Sequence, residues 1–319
     1  MNTGINYTAE EIKELSFDRK FRDCRKNINS MDFSKNGDKL VTGSDGDNIT
    51  IYDCESLEKI YTTGSKKYGV THTKFTRNVE NLIYGSNKVN DNIRYLNIEK
   101  KSYIRYFIGH EAEVTSISMS PVQDIFLSGS ADKTVRLWDL QSSRCEATMN
   151  APCEGIPVAA FDPEGIIFAV GYNSSIIKLY DMSSFSRGPF ETFHLPYLDP
   201  ADFWTDLKFG PNGGKILLTT VGGRMIVVDA FTGNILQNLN TQGNGCKACF
   251  SSDGDFLFCG ANDNSVGVWS ADAGQLITQL QVPSDKDVNG VAFNPKNLML
   301  AASSGNNVNM FLHSDLVEK

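Results

Sequence analysis

Long apolar runs are missing from these 319 residues. No stretch approaches the ~18 residues that a helix needs to cross a bilayer, so no helical membrane span is expected. The amino-terminal MNTGINYTAEEIKELSFDRK lacks the basic start and apolar stretch of a signal peptide, so export is not expected either. Histidine is scarce: His72, His110, His194 and His313 stand far apart. There is no GxSxG, P-loop, HExxH or clustered Cys/His set, which leaves catalysis without a foothold and predicts no enzyme, cofactor or metal. The seven cysteines (Cys24, Cys54, Cys145, Cys153, Cys246, Cys249 and Cys259) are scattered and odd in number, the pattern of reduced thiols rather than of a disulfide framework. Cys246 and Cys249 form one isolated CxxC. On a single strand a three-residue step points the two thiols to opposite faces, and no second pair completes a four-ligand site. A basic excess is also lacking. The formal net charge of −8 argues against nonspecific polyanion binding by the whole surface, and no direct sequence-specific nucleic-acid binding is expected.

What is present is a repeat. Phe33, Phe75, Met119, Phe161, Phe209, Phe250 and Phe293 each end an alternating segment, at steps of 42, 44, 42, 48, 41 and 43 residues. A second series, Tyr52, Leu96, Trp138, Tyr180, Val228, Trp269 and Phe311, runs at 44, 42, 42, 48, 41 and 42. A period of roughly 40–45 residues with short strands is that of propeller blades. Segments such as ITIYD and VRLWD alternate with period two, which excludes helical repeats of similar length. The intervening SKNGD, DPEG, GPNGG and SSDGD supply the Asn, Asp and Gly that tight turns demand.

The third repeat is the fullest, from Gly109 to Leu140. In it His110, Ser128, Asp132 and Trp138 are expected to form a buried hydrogen-bond network of the WD40 type, a structural role rather than a catalytic pair. The sixth keeps only Asp263 and Trp269 of that set. The seventh stops eight residues after Phe311, too early for a full fourth strand. The segment Glu14–Arg22 alternates and is expected to supply it, closing the ring and removing the open sheet edges. The fold expected is therefore all-β: a seven-bladed WD40 β-propeller closed by the N-terminal strand joining the last blade. Its anatomy is a tail at 1–12 and one domain at 13–319. The closing strand lies near 14–22 and the blades near 27–62, 69–107, 109–149, 155–193, 204–239, 245–281 and 288–313.

Beyond the generic repeat, SKKYGV (65–70), DNIRYL (91–96), YIRYFIGH (103–110), SMSP (118–121) and FDPEG (161–165) form a distinctive set. KLYD (178–181), GPF (188–190), WTDLKF (204–209), VDAF (228–231) and FNPK (293–296) extend it through all seven blades. With these stretches the chain resembles the small WD-repeat subunit shared by COMPASS-type histone H3 lysine-4 methyltransferase complexes and phosphatase-containing transcription-termination complexes. It departs from that pattern at Gly46, at the loop VPSDKDVNG and in its longer acidic N-terminus. The resemblance implies a non-catalytic nuclear adaptor, monomeric within a hetero-complex. Its implied partners are a SET-domain methyltransferase, a type-1 phosphatase targeting subunit and the phosphorylated C-terminal tail of RNA polymerase II. The sequence shows no clear import signal, so the nuclear assignment rests on the resemblance. Two other roles stand beside it: a stand-alone reader of phosphopeptides, and a ubiquitin-ligase substrate receptor, the latter by analogy of fold alone.

Docking candidates follow from the fold, because loops entering each first strand, and the turns before each third strand, surround the channel mouth. These are Lys26, Tyr68, His110, Glu111, Glu113, Glu154 and Trp204, with Asn90 and Ala131 from the turns. A basic set, Lys66, Lys67, Lys88, Arg94 and Arg105 around Tyr68, suits a phosphopeptide, which calls for charge-assisted bonds and an aromatic for an adjacent proline; a solvated blade face reads the same way. The long connection 183–206 carries Phe185, Phe190, Phe193, Tyr197, Phe203 and Trp204 beside three prolines. That is either a partner's hot spot or a loop packed on its own blade. The stretch from Arg19 to Lys26 holds five basic residues in eight, which fits an acidic partner or a charge-protected outer strand.

Overall fold

The structure is a computed structural model that describes residues 6–151, 155–172, 175–196, 202–241 and 247–313. Seven four-stranded antiparallel sheets follow one another, and in six of them each strand pairs with the next in sequence. Blade 1 is built from Ile28–Phe33, Lys39–Ser44, Asn48–Asp53 and Lys59–Gly64, and blade 2 from Thr71–Phe75, Asn81–Gly85, Ile93–Asn97 and Ser102–Phe107. Blade 3 spans Val114–Met119 to Cys145–Asn150, blade 4 Val158–Phe161 to Glu191–His194, blade 5 Trp204–Phe209 to Ile235–Asn240, and blade 6 Cys249–Phe250 to Leu276–Gln281. Blade 7 takes Val288–Phe293, Met299–Ser304 and Asn307–Leu312 from the C-terminal end. Its outer strand is Ser16–Phe21, paired antiparallel with Asn307–Leu312. The ring is thus closed by its two ends, as the early stop of the seventh repeat predicts.

The second aromatic and aliphatic series is what glues blade to blade. Tyr52, Leu96, Trp138, Tyr180, Val228, Trp269 and Phe311 are all buried and feed seven hydrophobic clusters spread around the ring. Each sheet alternates, so one set of side chains meets the blade before it and the other the blade after it. In blade 2, Leu82, Tyr84 and Leu96 pack toward blade 1, while Ile83, Ile93 and Phe107 pack toward blade 3. One-residue bulges recur in the inner strands, between Ile28 and Ser30, Val114 and Ser116, Trp204 and Asp206, and Val288 and Gly290. Such bulges strengthen the local right-handed twist.

One expectation needs correction. The N-terminal tail ends sooner than residue 12. Thr8 and Glu11 form a reciprocal capping box on the short helix Ala9–Lys13, the S/T-x-x-E signature that starts helices. That turn drops Ile12 and Leu15, both buried, into the core shared by blades 6 and 7, and Tyr7 bonds Asp253 and Ser252. The CxxC expectation falls partly outside the described residues. The inner strand of blade 6 is only Cys249–Phe250, with Cys249 buried, and Cys246 lies outside the described residues.

Candidate functional site

In blade 3 the loop before the first strand, the second strand and the third strand are tied together at one serine. Ser128 Oγ lies 2.7 Å from His110 Nε2 and accepts a 2.8 Å bond from the Trp138 indole N–H. His110 Nδ1 is 2.7 Å from Asp132 Oδ2, and Asp132 also accepts from the Thr134 amide at 2.9 Å, the Thr134 hydroxyl at 2.6 Å and the Glu111 amide at 3.1 Å. The protonation pattern follows from the inventory of donors. An ionised carboxylate only accepts, so His110 Nδ1 carries the hydrogen; the Ser128 hydroxyl then donates to a neutral Nε2 while accepting from Trp138. Burial pushes the imidazole below its ordinary value, against the pull of Asp132. Burial works against ionised Asp132 too, but bonds from Thr134 and His110 outweigh it and hold the carboxyl down to about 2. A neutral histidine buried beside Trp138, with both ring nitrogens engaged, ties three segments of the blade together.

The basic set around Tyr68 behaves differently from a solvated face. Arg94 is only 3% exposed. It projects from the third strand of blade 2 on the side that meets blade 1, and its guanidinium carbon stands 3.5 Å from the centroid of the Tyr68 ring. Tyr106 and Tyr103 close around it at 5.0 and 5.5 Å. Its Nε donates to Ser86 Oγ at 2.8 Å and an Nη to Asn90 Oδ1 at 3.4 Å. Among the described residues no carboxylate pairs with it, so the aromatic faces carry its charge, a desolvated cation–π arrangement of ~2 kcal/mol or more. Tyr84 braces the cage, its hydroxyl 2.9 Å from that of Tyr103 and donating to Ser65 Oγ at 3.2 Å.

Around this buried floor the surface stays open. Tyr103 and Tyr106 show their outer edges, and Ile104, Ile108 and Val89 are exposed. Lys66 and Lys67 are exposed, with the Lys67 ammonium 5.1 Å from the Tyr68 centroid, and Lys88 is paired with Asp47 of blade 1. Arg105 instead reaches the Leu140 carbonyl of blade 3 and so leaves the group. Lys67, Tyr68, Lys88 and Arg94 therefore meet at the seam between blades 1 and 2, with exposed Lys66 next to them in the chain. Tyr103, Tyr106 and Ser86 were not singled out from the sequence, although the YIRYF alternation carries the signal: aromatics at positions of an outer strand that solvent should occupy.

The other candidates divide. Glu111, Glu113 and Lys26 are exposed on loops leading into inner strands. Trp204, a candidate contact residue, is instead buried in the core between blades 4 and 5, as is Phe193. Its ring lies so close to Gly171 that a Cβ there would meet it at 2.7 Å. Phe185 packs on the core between blades 3 and 4. Of the long connection's aromatics, Phe190 and Phe203 are exposed, and Tyr197 and Glu154 lie outside the described residues. Among the described residues, three of the connection's aromatics thus pack on their own blades and two stay exposed. The charged strand Ser16–Phe21 forms the outer edge of blade 7. Among the described residues no group of three or more His, Cys, Asp or Glu is arranged to hold a metal ion, and no helix is long and apolar enough to cross a membrane.

Comparison with known proteins agrees with this architecture. The family model "WD domain, G-beta repeat" matches residues 16–53, 101–139 and 233–270. WD repeat-containing protein 82 of Drosophila melanogaster is 45% identical over 299 residues, covering 92% of this chain and 93% of the relative. The chain belongs to that WD-repeat family. The family also takes in the COMPASS component SWD2 of Saccharomyces cerevisiae, 33% identical over 90% of this chain and 91% of the relative. The Set1 complex component swd2 of Schizosaccharomyces pombe is 36% identical over 72% of this chain and 67% of its own length.

Proposed function

We propose that this chain is a non-catalytic adaptor of nuclear chromatin and transcription complexes. It docks a SET-domain histone H3 lysine-4 methyltransferase, a type-1 phosphatase targeting subunit or both, and links them to RNA polymerase II. The observation that carries this reading is the match along nine-tenths of the chain to a protein named as a COMPASS component. The phosphatase and polymerase links rest on the family resemblance and on the chemistry of the blade 1–2 seam. A pre-stacked guanidinium, exposed tyrosine edges and two exposed lysines suit an extended anionic segment, with rings for apolar side chains and ammonium groups for phosphates. Affinity purification of the tagged chain from nuclear extract tests the adaptor reading. Recovery of a methyltransferase or phosphatase complex is expected; recovery of neither overturns it.

A second reading, a reader of phosphopeptides acting on its own, is favoured by the same seam. Titration with phosphorylated and plain polymerase-tail peptides separates the two. Binding of the phosphorylated form alone, abolished by Lys66→Glu with Lys67→Glu, supports it. Equal or absent binding dismisses it.

A further inference from the structure

The segment that closes the ring carries cations that the fold does not use. Strand Ser16–Phe21 is the outer edge of blade 7, and the chain then crosses the rim to reach Ile28–Phe33, the inner strand of blade 1. The crossing is held in place. Cys24 is buried, its carbonyl accepts from Asn306 Nδ2 at 3.0 Å, and the Ile28 amide donates to the Gly305 carbonyl at 2.8 Å. On either side of Cys24, Arg22, Arg25 and Lys26 are exposed. Among the described residues no hydrogen bond or ion pair engages these three side chains, whereas the cations around them are occupied. Lys20 donates to the Pro283 carbonyl, Lys59 pairs with Asp23, and Lys88 pairs with Asp47. Charge on Arg19 and Lys20 guards an open sheet edge. Arg22, Arg25 and Lys26 lie past the end of that strand and guard none.

The turn facing them lacks an acid that other blades have. In blade 3 the turn between the second and third strands carries Asp132, which accepts from the Glu111 amide of the entering loop at 3.1 Å. Blade 6 has Asp263 at the same place, two residues before Ser265 as Asp132 is before Thr134. The pairs Gly43 with Ile49 and Gly129 with Val135 align blade 1 with blade 3 and put Gly46 there. A Cβ on Gly46 would stand 3.7 Å from both the amide nitrogen and the Cβ of Lys26, with Ser44 Oγ at 3.5 Å its nearest neighbour. Asp45 accepts from Asn29, Asp47 pairs with Lys88, and neither forms an ion pair with Lys26. Across the turn the Ser65 amide donates to the Asp47 carbonyl at 2.7 Å, which brings exposed Lys66 to its far side. Arg22, Arg25, Lys26 and Lys66 thus face one carboxylate, Asp45, that has no cation of its own. Further out the sign reverses: Asp285 and Asp287 are exposed on the loop entering blade 7, and Glu111 and Glu113 on the loop entering blade 3.

We propose that the rim over blades 7 and 1 docks a short segment of a protein partner rich in Asp and Glu. Arg22, Arg25, Lys26 and Lys66 hold it, and one of its carboxylates takes the place beside Lys26 that Gly46 leaves open. Charge complementarity selects the occupant. The patch is basic within a chain whose net charge is −8, and acidic loops bound it on both sides. A long polyanion such as RNA would run from the patch onto those loops, whereas a short acidic segment ends within it. The backbone of the crossing is already fixed by blade 7, so little ordering is needed when the segment arrives. The proposal deepens the adaptor reading and rests on it for the existence of a partner, but the contact itself is tested without one.

The test uses the full chain and a fluorescent Glu-Gly repeat peptide, with a Gln-Gly repeat as neutral control and oligouridine of equal net charge as competitor. Saturable binding of the acidic peptide that weakens as salt rises is expected in fluorescence anisotropy. Gly46→Asp sets a carboxylate beside Lys26 without removing any cation, and should weaken binding roughly threefold, the scale of one exposed ion pair. Gly46→Asn, of equal size and uncharged, should leave it unchanged. Arg25→Glu with Lys26→Glu should weaken it by roughly tenfold or more, and these exposed positions keep the test open should a Gly46 variant fail to fold. Absence of saturable binding, equal binding of the Gln-Gly peptide, equal affinities of the Asp and Asn variants, or tighter binding of oligouridine than of the acidic peptide would overturn the proposal. None of these results bears on the recovery of complexes from extract, so this proposal and the adaptor reading fail separately.

Discussion

Replacing Ser128 by Ala removes one oxygen and strands two hydrogen-bonding groups. Ser128 is fully buried and serves both the Trp138 indole and the His110 ring at once. The Cβ remains, so packing changes little, and the cost falls on the polar groups. An unpaired buried donor or acceptor costs about 1–3 kcal/mol, so two of them place the loss at roughly 2–6 kcal/mol. Trp138→Phe alone strands only the serine's acceptor side and trims a ring packed against Phe107 and Phe126. The double variant no longer has an indole N–H to strand. Its total loss should therefore fall short of the sum of the single losses by about 1–3 kcal/mol. Urea unfolding of the four proteins, followed by tryptophan-independent circular dichroism, measures the cycle, with unchanged denaturant slopes as the condition for comparing midpoints. Additive losses, or a Ser128→Ala cost below ~1 kcal/mol, would refute the claim that this serine joins the two side chains.

Arg94→Lys should weaken capture of anionic partners and lower stability by about 1–2 kcal/mol, because an ammonium cannot stack between tyrosines as a guanidinium does; equal pull-down and equal unfolding midpoints would contradict this. Gly171→Ala should cost about 1–3 kcal/mol, since the new methyl meets the Trp204 ring, and a neutral result in thermal unfolding would show that blade 5 gives way freely. Ile12→Ala should cost about 2–5 kcal/mol by emptying its place between blades 6 and 7, whereas a true tail residue would cost nothing. Stability should also fall in acid through two groups. His110 and Asp132 both titrate lower in the folded chain than in the unfolded one, so the unfolded chain binds protons first. The His110 contribution is present above its ordinary value and fades as pH drops below it, and that of Asp132 fades from near 3.8 toward about 2; His110→Gln should flatten the first of these in urea midpoints measured against pH.

The propeller was legible because its signal repeats. Seven aromatic or aliphatic anchors at one spacing report a buried position in every blade, and a missing strand at one end announces its replacement at the other. The short N-terminal helix was not read from the sequence, because the acidic composition of that segment hides four informative residues, Thr8, Glu11, Ile12 and Leu15, among polar ones. Arg94 was not legible as a buried group. A basic residue in an alternating strand ordinarily points outward, and the three rings that make burial tolerable here come from a preceding loop and the following strand. Only pairing Arg94 with Tyr106, and folding the loop at Tyr68 over both, brings them together. The same logic separates Trp204 from Tyr68. Tyr68 precedes a first strand and Trp204 opens one, yet Trp204 has Gly171 beneath it and sinks into the core, whereas Tyr68 meets a guanidinium and stays at the surface of the seam. What a loop aromatic does in a propeller is thus decided by the residue it finds on the neighbouring strand, a small one that admits the ring or a charged one that holds it at the rim.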